Sequence, residues 1–161
     1  MTAAPVIAAV ALLWAGAAPA AEPAACVGEI ARVVDGDTFD VACAGGSTLR
    51  LRLRDVDAPE VTGPCAAHGR AVRALVEAHF GPGEAHSGVI VSVRAAYADR
   101  WGRAVGDAAI LEGAWLGWPL TGAVRALGEE AGLETLRPWP HDGAGREIAR
   151  GARPVWCGAR E

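Results

Sequence analysis

The stretch TLRLRLRDV, Thr48 to Val56, alternates without a break, with Leu49, Leu51 and Leu53 on one side of an extended chain and Arg50, Arg52 and Arg54 on the other. Successive side chains of a strand point to opposite faces, so a period of two predicts a strand with one face on a core and one toward solvent. Upstream, VGEIARVV and TFDVAC read as two more strands on either side of Asp35-Gly36-Asp37, a hairpin signal, and Gly45-Gly46-Ser47 marks the next turn. Three strands in a meander are expected.

The period then changes. From His68 to His79, Ala71, Val72, Leu75, Val76 and His79 fall on one helical face, and Arg70, Arg73 and Glu77 share the other, until Gly81-Pro82-Gly83 stops the helix. GVIVSVR reads as a fourth strand, AAYADRWG as an exposed loop and RAVGDAAI as a fifth strand. A second helix is expected from Leu120 to Ala131 with Ala123, Val124 and Leu127 inward. Pro138, Pro140 and Pro154 break up the tail, leaving at most a short helix near Gly145 to Arg150. This order predicts an α+β domain, a five-stranded OB-type Greek-key β-barrel with two to three packed helices, which closes its own edges and offers a face and loops to ligands.

Residues 1–20 do not read as part of that barrel. An apolar run from Val6 to Ala18 ends in Ala18-Pro19-Ala20, before the first charge at Glu22, which is the pattern of a secretory signal peptide cut after Ala20, although no Lys or Arg precedes the run. Residues 21–161 would then be the exported domain, with no stable membrane span, secreted or periplasmic and monomeric. Cys26, Cys43, Cys65 and Cys157 all follow the cut and contain no C-x-x-C, so two disulfides are expected rather than zinc. Three connectivities are open; the favoured one pairs Cys26 with Cys43 across the first hairpin and leaves Cys65 with Cys157. His68, His79, His86 and His141 show no metal spacing and are expected at the surface.

The formal charge of −4 argues against a simple phosphate-coating protein, because polynucleotide affinity usually rests on a net basic surface. Every basic residue is nonetheless Arg, whose planar fork suits phosphate oxygens. The acids are unevenly placed. Asp37 lies at the first hairpin turn, and Asp57 and Glu60 lie where the third strand runs into DAPE, with Pro59 ending the strand. Carboxylates from two segments meeting at a barrel mouth make an oxygen-rich site for a hard cation, Ca²⁺ suiting an irregular set of carboxylates, a carbonyl and waters. Asp35 or Asp37 alone is ordinary turn chemistry.

VVDGDTF, then LRLRDVDAPE, then DRWGR resemble the motifs of the staphylococcal-nuclease-like, or thermonuclease, family over Glu29 to Leu133. The resemblance implies an OB barrel, Ca²⁺ as cofactor, and phosphodiester hydrolysis of DNA and RNA to 3′-phosphates. It implies Asp37 and Asp57 as Ca²⁺ carboxylates with the Ala58 backbone carbonyl, Glu60 as the residue that handles the attacking water, and Arg52 and Arg103 as the catalytic arginines that bind the substrate phosphate. Ala58 stands where the best-known member has a hydroxyl residue, a change that a carbonyl ligand survives. The stretch GDAAILEGAWLGWPLT is longer than the family pattern, and its Trp115 and Trp118 are either core packing or stacking platforms for bases. LETLRPWP offers no counterpart to the family's base-contacting tyrosine pair. Two other classes use the same residues differently: a catalytically silent OB module that binds polynucleotides, and an exported Ca²⁺-binding structural protein.

Overall fold

The structure, a computed structural model, describes residues 25–84, 86–139, 155–157 and 159–160. The proposed leader 1–20, His141 and the helix expected near Gly145 to Arg150 lie outside the described residues.

β1 (Ala25–Val33), β2 (Thr38–Cys43) and β3 (Thr48–Leu53) form the expected meander. β5 (Ile90–Ala98) and β6 (Ala104–Ile110) complete a closed barrel in the order β1-β2-β3-β6-β5, in which β3 and β6 run parallel and β1 pairs with β5. This is the α+β OB-type barrel that the sequence predicts. Closure leaves the five barrel strands no unpaired edge among the described residues, so the outer face of the wall is available to ligands without inviting edge pairing.

The alternation in β3 is realised on its apolar side: Leu51 and Leu53 are fully buried beside Ile30, Val33, Phe39, Val41 and Ile110, and Leu49 packs at the margin. Burying each such side chain stabilises the fold by about 1.5–3 kcal/mol. Two differences from the sequence reading have clear causes. β3 stops at Leu53, because the chain turns at Arg54 and at Asp55 (φ 61°) and resumes as the two-residue β4 (Val56–Asp57), paired with β7 (Arg137–Pro138). AAYA is strand rather than loop, since a bulge between Ala95 and Tyr97 keeps β5 in register with Ala104–Gly106 and confines the exposed tip to Asp99–Arg103.

α1 (Ala66–Phe80) begins two residues before the expected start, and its buried positions are Gly69, Val72, Val76 and Phe80. Val72 and Val76 match the expected face, but Ala71 and His79 are exposed, so the apolar stripe is rotated toward Gly69 and Phe80. α2 (Leu120–Glu130) buries Ala123, Val124 and Leu127 as expected, together with Leu120 and Gly128. The long insert before it is anchored by a 3₁₀ turn at Gly113–Trp115, where Trp115 packs on the core and meets Phe80 edge-on at 6.4 Å. Trp118, 47% exposed, leans edge-on against Trp115 at 5.1 Å. β8 (Val155–Trp156) and β9 (Ala159–Arg160) form a small hairpin.

Both disulfides follow the favoured connectivity. Cys26–Cys43 ties β1 to β2, and Cys65–Cys157 ties the residue before α1 to the hairpin of β8 and β9, each with Cα atoms 5.7 Å apart. Two such bonds are consistent with an extracellular, oxidising location. Among the described residues, no helix is long and apolar enough to cross a membrane.

Candidate active site

Backbone pairing brings the acids to Arg52. Thr38 stands opposite Arg52 in the β2–β3 ladder, and the Leu53 amide donates to the Asp37 carbonyl at 2.8 Å, so the hairpin turn lies beside the end of β3. The turn at Asp55 then folds Asp57 back onto the same guanidinium. Arg52 Nη2 lies 3.2 Å from Asp37 Oδ2 and 3.3 Å from Asp57 Oδ1, while Nη1 donates to the carbonyls of Leu53 at 2.6 Å and Val56 at 2.7 Å. Asp37 also accepts the Thr38 hydroxyl at 2.9 Å and the Ala58 amide at 2.7 Å, and Asp57 Oδ2 accepts the Trp156 indole N–H at 2.8 Å. Asp37 and Asp57 are 4% and 2% exposed. Two buried carboxylates are tolerable only with a cation and hydrogen-bond donors at hand, and Arg52 supplies the positive charge.

The acidic excess extends further. Burial, reinforced by the charge of Asp37 and a hydrogen bond to it and then by the charge of Glu60, pushes the Asp35 carboxyl up to about 8, while the Asp37 amide donates to Asp35 Oδ1 at 3.0 Å. Asp35 therefore keeps its proton at neutral pH, which lowers the repulsion in the turn. Two glycines permit the crowding. A Cβ on Gly36 would stand 2.6 Å from Val72 Cγ1 and 2.8 Å from Ala58 Cβ. One on Gly69 would strike the Glu60 carbonyl and come within 2.7 Å of the Pro59 oxygen. Gly69 thus lets the Pro59–Glu60 backbone lie directly on α1, setting where Glu60 stands.

Arg103 is not joined to this cluster by a hydrogen bond or ion pair among the described residues. Its Nε donates to Asp99 Oδ2 at 2.6 Å and its guanidinium lies 5.0 Å from the Trp101 ring, on which Arg100 stacks at 4.0 Å. Leu51 and Arg52 pair with Ala104 and Val105, so Arg103 falls beside Arg50 on the face that carries Arg52, offset by two residues or about 7 Å along the strand. Arg50 itself is spent on a two-pronged bond to Asp40 at 2.7 and 3.0 Å, which Arg32 joins at 3.2 Å. His68, His79 and His86 each hydrogen-bond a backbone carbonyl, at 2.8–2.9 Å, and none of these bonds reaches the acidic cluster.

Does this set fit a divalent cation? Among the described residues, no three His, Cys, Asp or Glu side chains converge as a ligand set. One guanidinium nitrogen nevertheless bridges Asp37 and Asp57, and Asp35 retains a proton beside them. The donors are hard carboxylate oxygens in an irregular arrangement, the kind Ca²⁺ accepts, provided Arg52 moves aside. At Ala58 the structure adds the amide N–H on Asp37 Oδ2. Asp35, Gly69 and Trp156 are the residues that sequence reasoning missed as parts of this site. The D-G-D spacing offered a signal for Asp35; no local pattern pointed to the other two. No family model and no curated protein matches the chain.

Proposed function

We propose that this chain is an exported, Ca²⁺-dependent phosphodiesterase that cuts DNA, with RNA as a second substrate, to 3′-phosphate products with little sequence preference. One observation carries the reading: carboxylates from two chain segments, Asp37 and Asp57, share a single nitrogen of Arg52 at 3.2 and 3.3 Å. Such a pair needs a cation, and Arg52 is of the residue type that a phosphate would draw outward.

Asp37 and Asp57 would hold the ion with the Ala58 carbonyl, and the ion would supply positive charge against the phosphoryl oxygens. Arg52, no longer needed between the carboxylates, donates its fork to a phosphate oxygen. Arg103 leaves Asp99 to donate to a second one. Glu60, set against α1 by Gly69, accepts the proton of the attacking water, a role typically worth 10²–10⁴-fold in rate. Charge that develops on the phosphoryl oxygens would thereby be met by the cation and the two guanidinium forks.

The inward commitment of Arg52, with two bonds to carbonyls and two to carboxylates, favours as a second reading a Ca²⁺-binding or polynucleotide-binding module without turnover. Plasmid and single-stranded DNA incubated with the mature chain separate the readings. Cleavage in Ca²⁺ that stops with chelator supports the nuclease; intact DNA with retained binding of Ca²⁺ or of DNA supports a module.

A further inference from the structure

We propose that Trp156, delivered by the Cys65–Cys157 disulfide, is a positioning residue that fixes the Asp57 carboxylate for cation binding; this rests on the reading of the site given above. The indole is a donor only, and its N–H reaches Asp57 Oδ2 at 2.8 Å from a residue 99 positions away in sequence. Trp156 is 1% exposed. Its ring is held between His68, at 5.8 Å between centroids, and the Arg137 guanidinium, 4.4 Å from the ring centroid. Arg137 also pairs through its backbone with Asp57. Pinning Oδ2 on the indole leaves Oδ1 turned toward Arg52 and Asp37, the side on which a shared cation would be bound.

The tether is built into the same corner. Cys157 follows Trp156 directly and is bonded to Cys65, which precedes the first turn of α1. That helix carries Gly69, against which the Glu60 backbone rests. One covalent bond therefore links the segment that orients Asp57 to the helix that sets Glu60. A partner that orients a ligating carboxylate is typically worth 10–100-fold in metal affinity or activity.

The test uses the oxidised, full mature chain. Trp156→Phe keeps the ring between His68 and Arg137 and removes only the N–H. Calorimetry should show Ca²⁺ binding weakened about 10–100-fold. DNA turnover lost at low Ca²⁺ should return when Ca²⁺ is raised, with KM for DNA unchanged, whereas a merely structural role gives a loss that Ca²⁺ does not rescue. A variant with Ca²⁺ affinity within about twofold of the parent, whatever its thermal stability, overturns the proposal.

Should Trp156→Phe fail to fold, the parent protein in chelator supplies a second readout by NMR. The Trp156 indole proton should exchange slowly, and in Cys65→Ser/Cys157→Ser it should exchange fast while Ca²⁺ affinity falls about 10–100-fold. Fast exchange in the intact parent overturns the proposal. A parent chain that binds no Ca²⁺ at all refutes the reading of the site itself, a result distinct from a parent that binds Ca²⁺ no better than Trp156→Phe.

Discussion

Replacing Asp35 with Asn tests whether the hairpin turn is as crowded with negative charge as the geometry indicates. The Asp35 carboxyl is pushed up to about 8 from 3.8, first by burial, then by Asp37 and Glu60. Between those values the folded chain holds a proton that the unfolded chain has released. Stability in chelator must therefore fall as pH rises from about 4 to about 8, by at most 1.36 kcal/mol per pH unit, and level off above. The full window sets an upper limit on the order of 5 kcal/mol. Asp35 keeps part of its surface in solvent and shares its environment with Asp37, so an observable amplitude of roughly 2–3 kcal/mol is expected. Asp35→Asn carries no titrating proton at this position. Urea unfolding should show the variant close to the parent near pH 4.5 and more stable by roughly 2–3 kcal/mol near pH 8.5. A difference between the two proteins that stays constant over that range, or a variant less stable at high pH, would refute the crowding.

Three further outcomes follow from the contacts. By loop-closure entropy, the Cys26–Cys43 bond spans 17 residues and should stabilise by about 3 kcal/mol, and Cys65–Cys157 spans 92 and should stabilise by about 5, so paired Ser variants compared by urea unfolding should rank in that order; the reverse order counts against it. Arg52→Ala leaves two buried carboxylates facing each other and should cost about 3–5 kcal/mol in chelator, with part recovered by added Ca²⁺, whereas Arg50→Lys, on an exposed pair with Asp40, should stay within about 0.5 kcal/mol and remain active. Gly69→Ala drives a methyl into the Glu60 carbonyl and should lose about 1–3 kcal/mol together with turnover; full activity would mean that α1 does not set Glu60.

The barrel was legible because β3 could be read residue by residue, with Leu51 and Leu53 buried as their alternation requires. Arg52 breaks the same pattern. Alternation puts it on the solvent face with Arg50 and Arg54, yet its side chain is only 14% exposed, because Asp37 and Asp57 close over it from two other segments. Period-two reasoning carries no information about such long-range closure. Trp156 was illegible for the same reason, being 99 residues from its partner. Val72, Val76 and Leu75 of the expected α1 face do meet the core, but its rotation toward Gly69 was missed because Gly69 counts as neutral in an apolar pattern, although a close backbone approach demands it. The acids Asp37, Asp57 and Glu60 were singled out as candidates from their placement at a turn and a strand end. Arg103 was placed in the site by resemblance alone, and its guanidinium is held by Asp99.

The most direct measurement compares turnover and ligand binding in Glu60→Gln, which keeps size and hydrogen bonding and removes the proton acceptor. Turnover of single-stranded DNA in Ca²⁺ should fall by at least about 10²-fold, while calorimetry still detects Ca²⁺ with a nucleotide bisphosphate at near the parent affinity. Asp37→Asn and Asp57→Asn should instead weaken the Ca²⁺ term itself. A Glu60→Gln protein that cuts DNA as fast as its parent, or one that no longer binds Ca²⁺, would contradict the division of this site into a cation-holding pair and a water-handling acid.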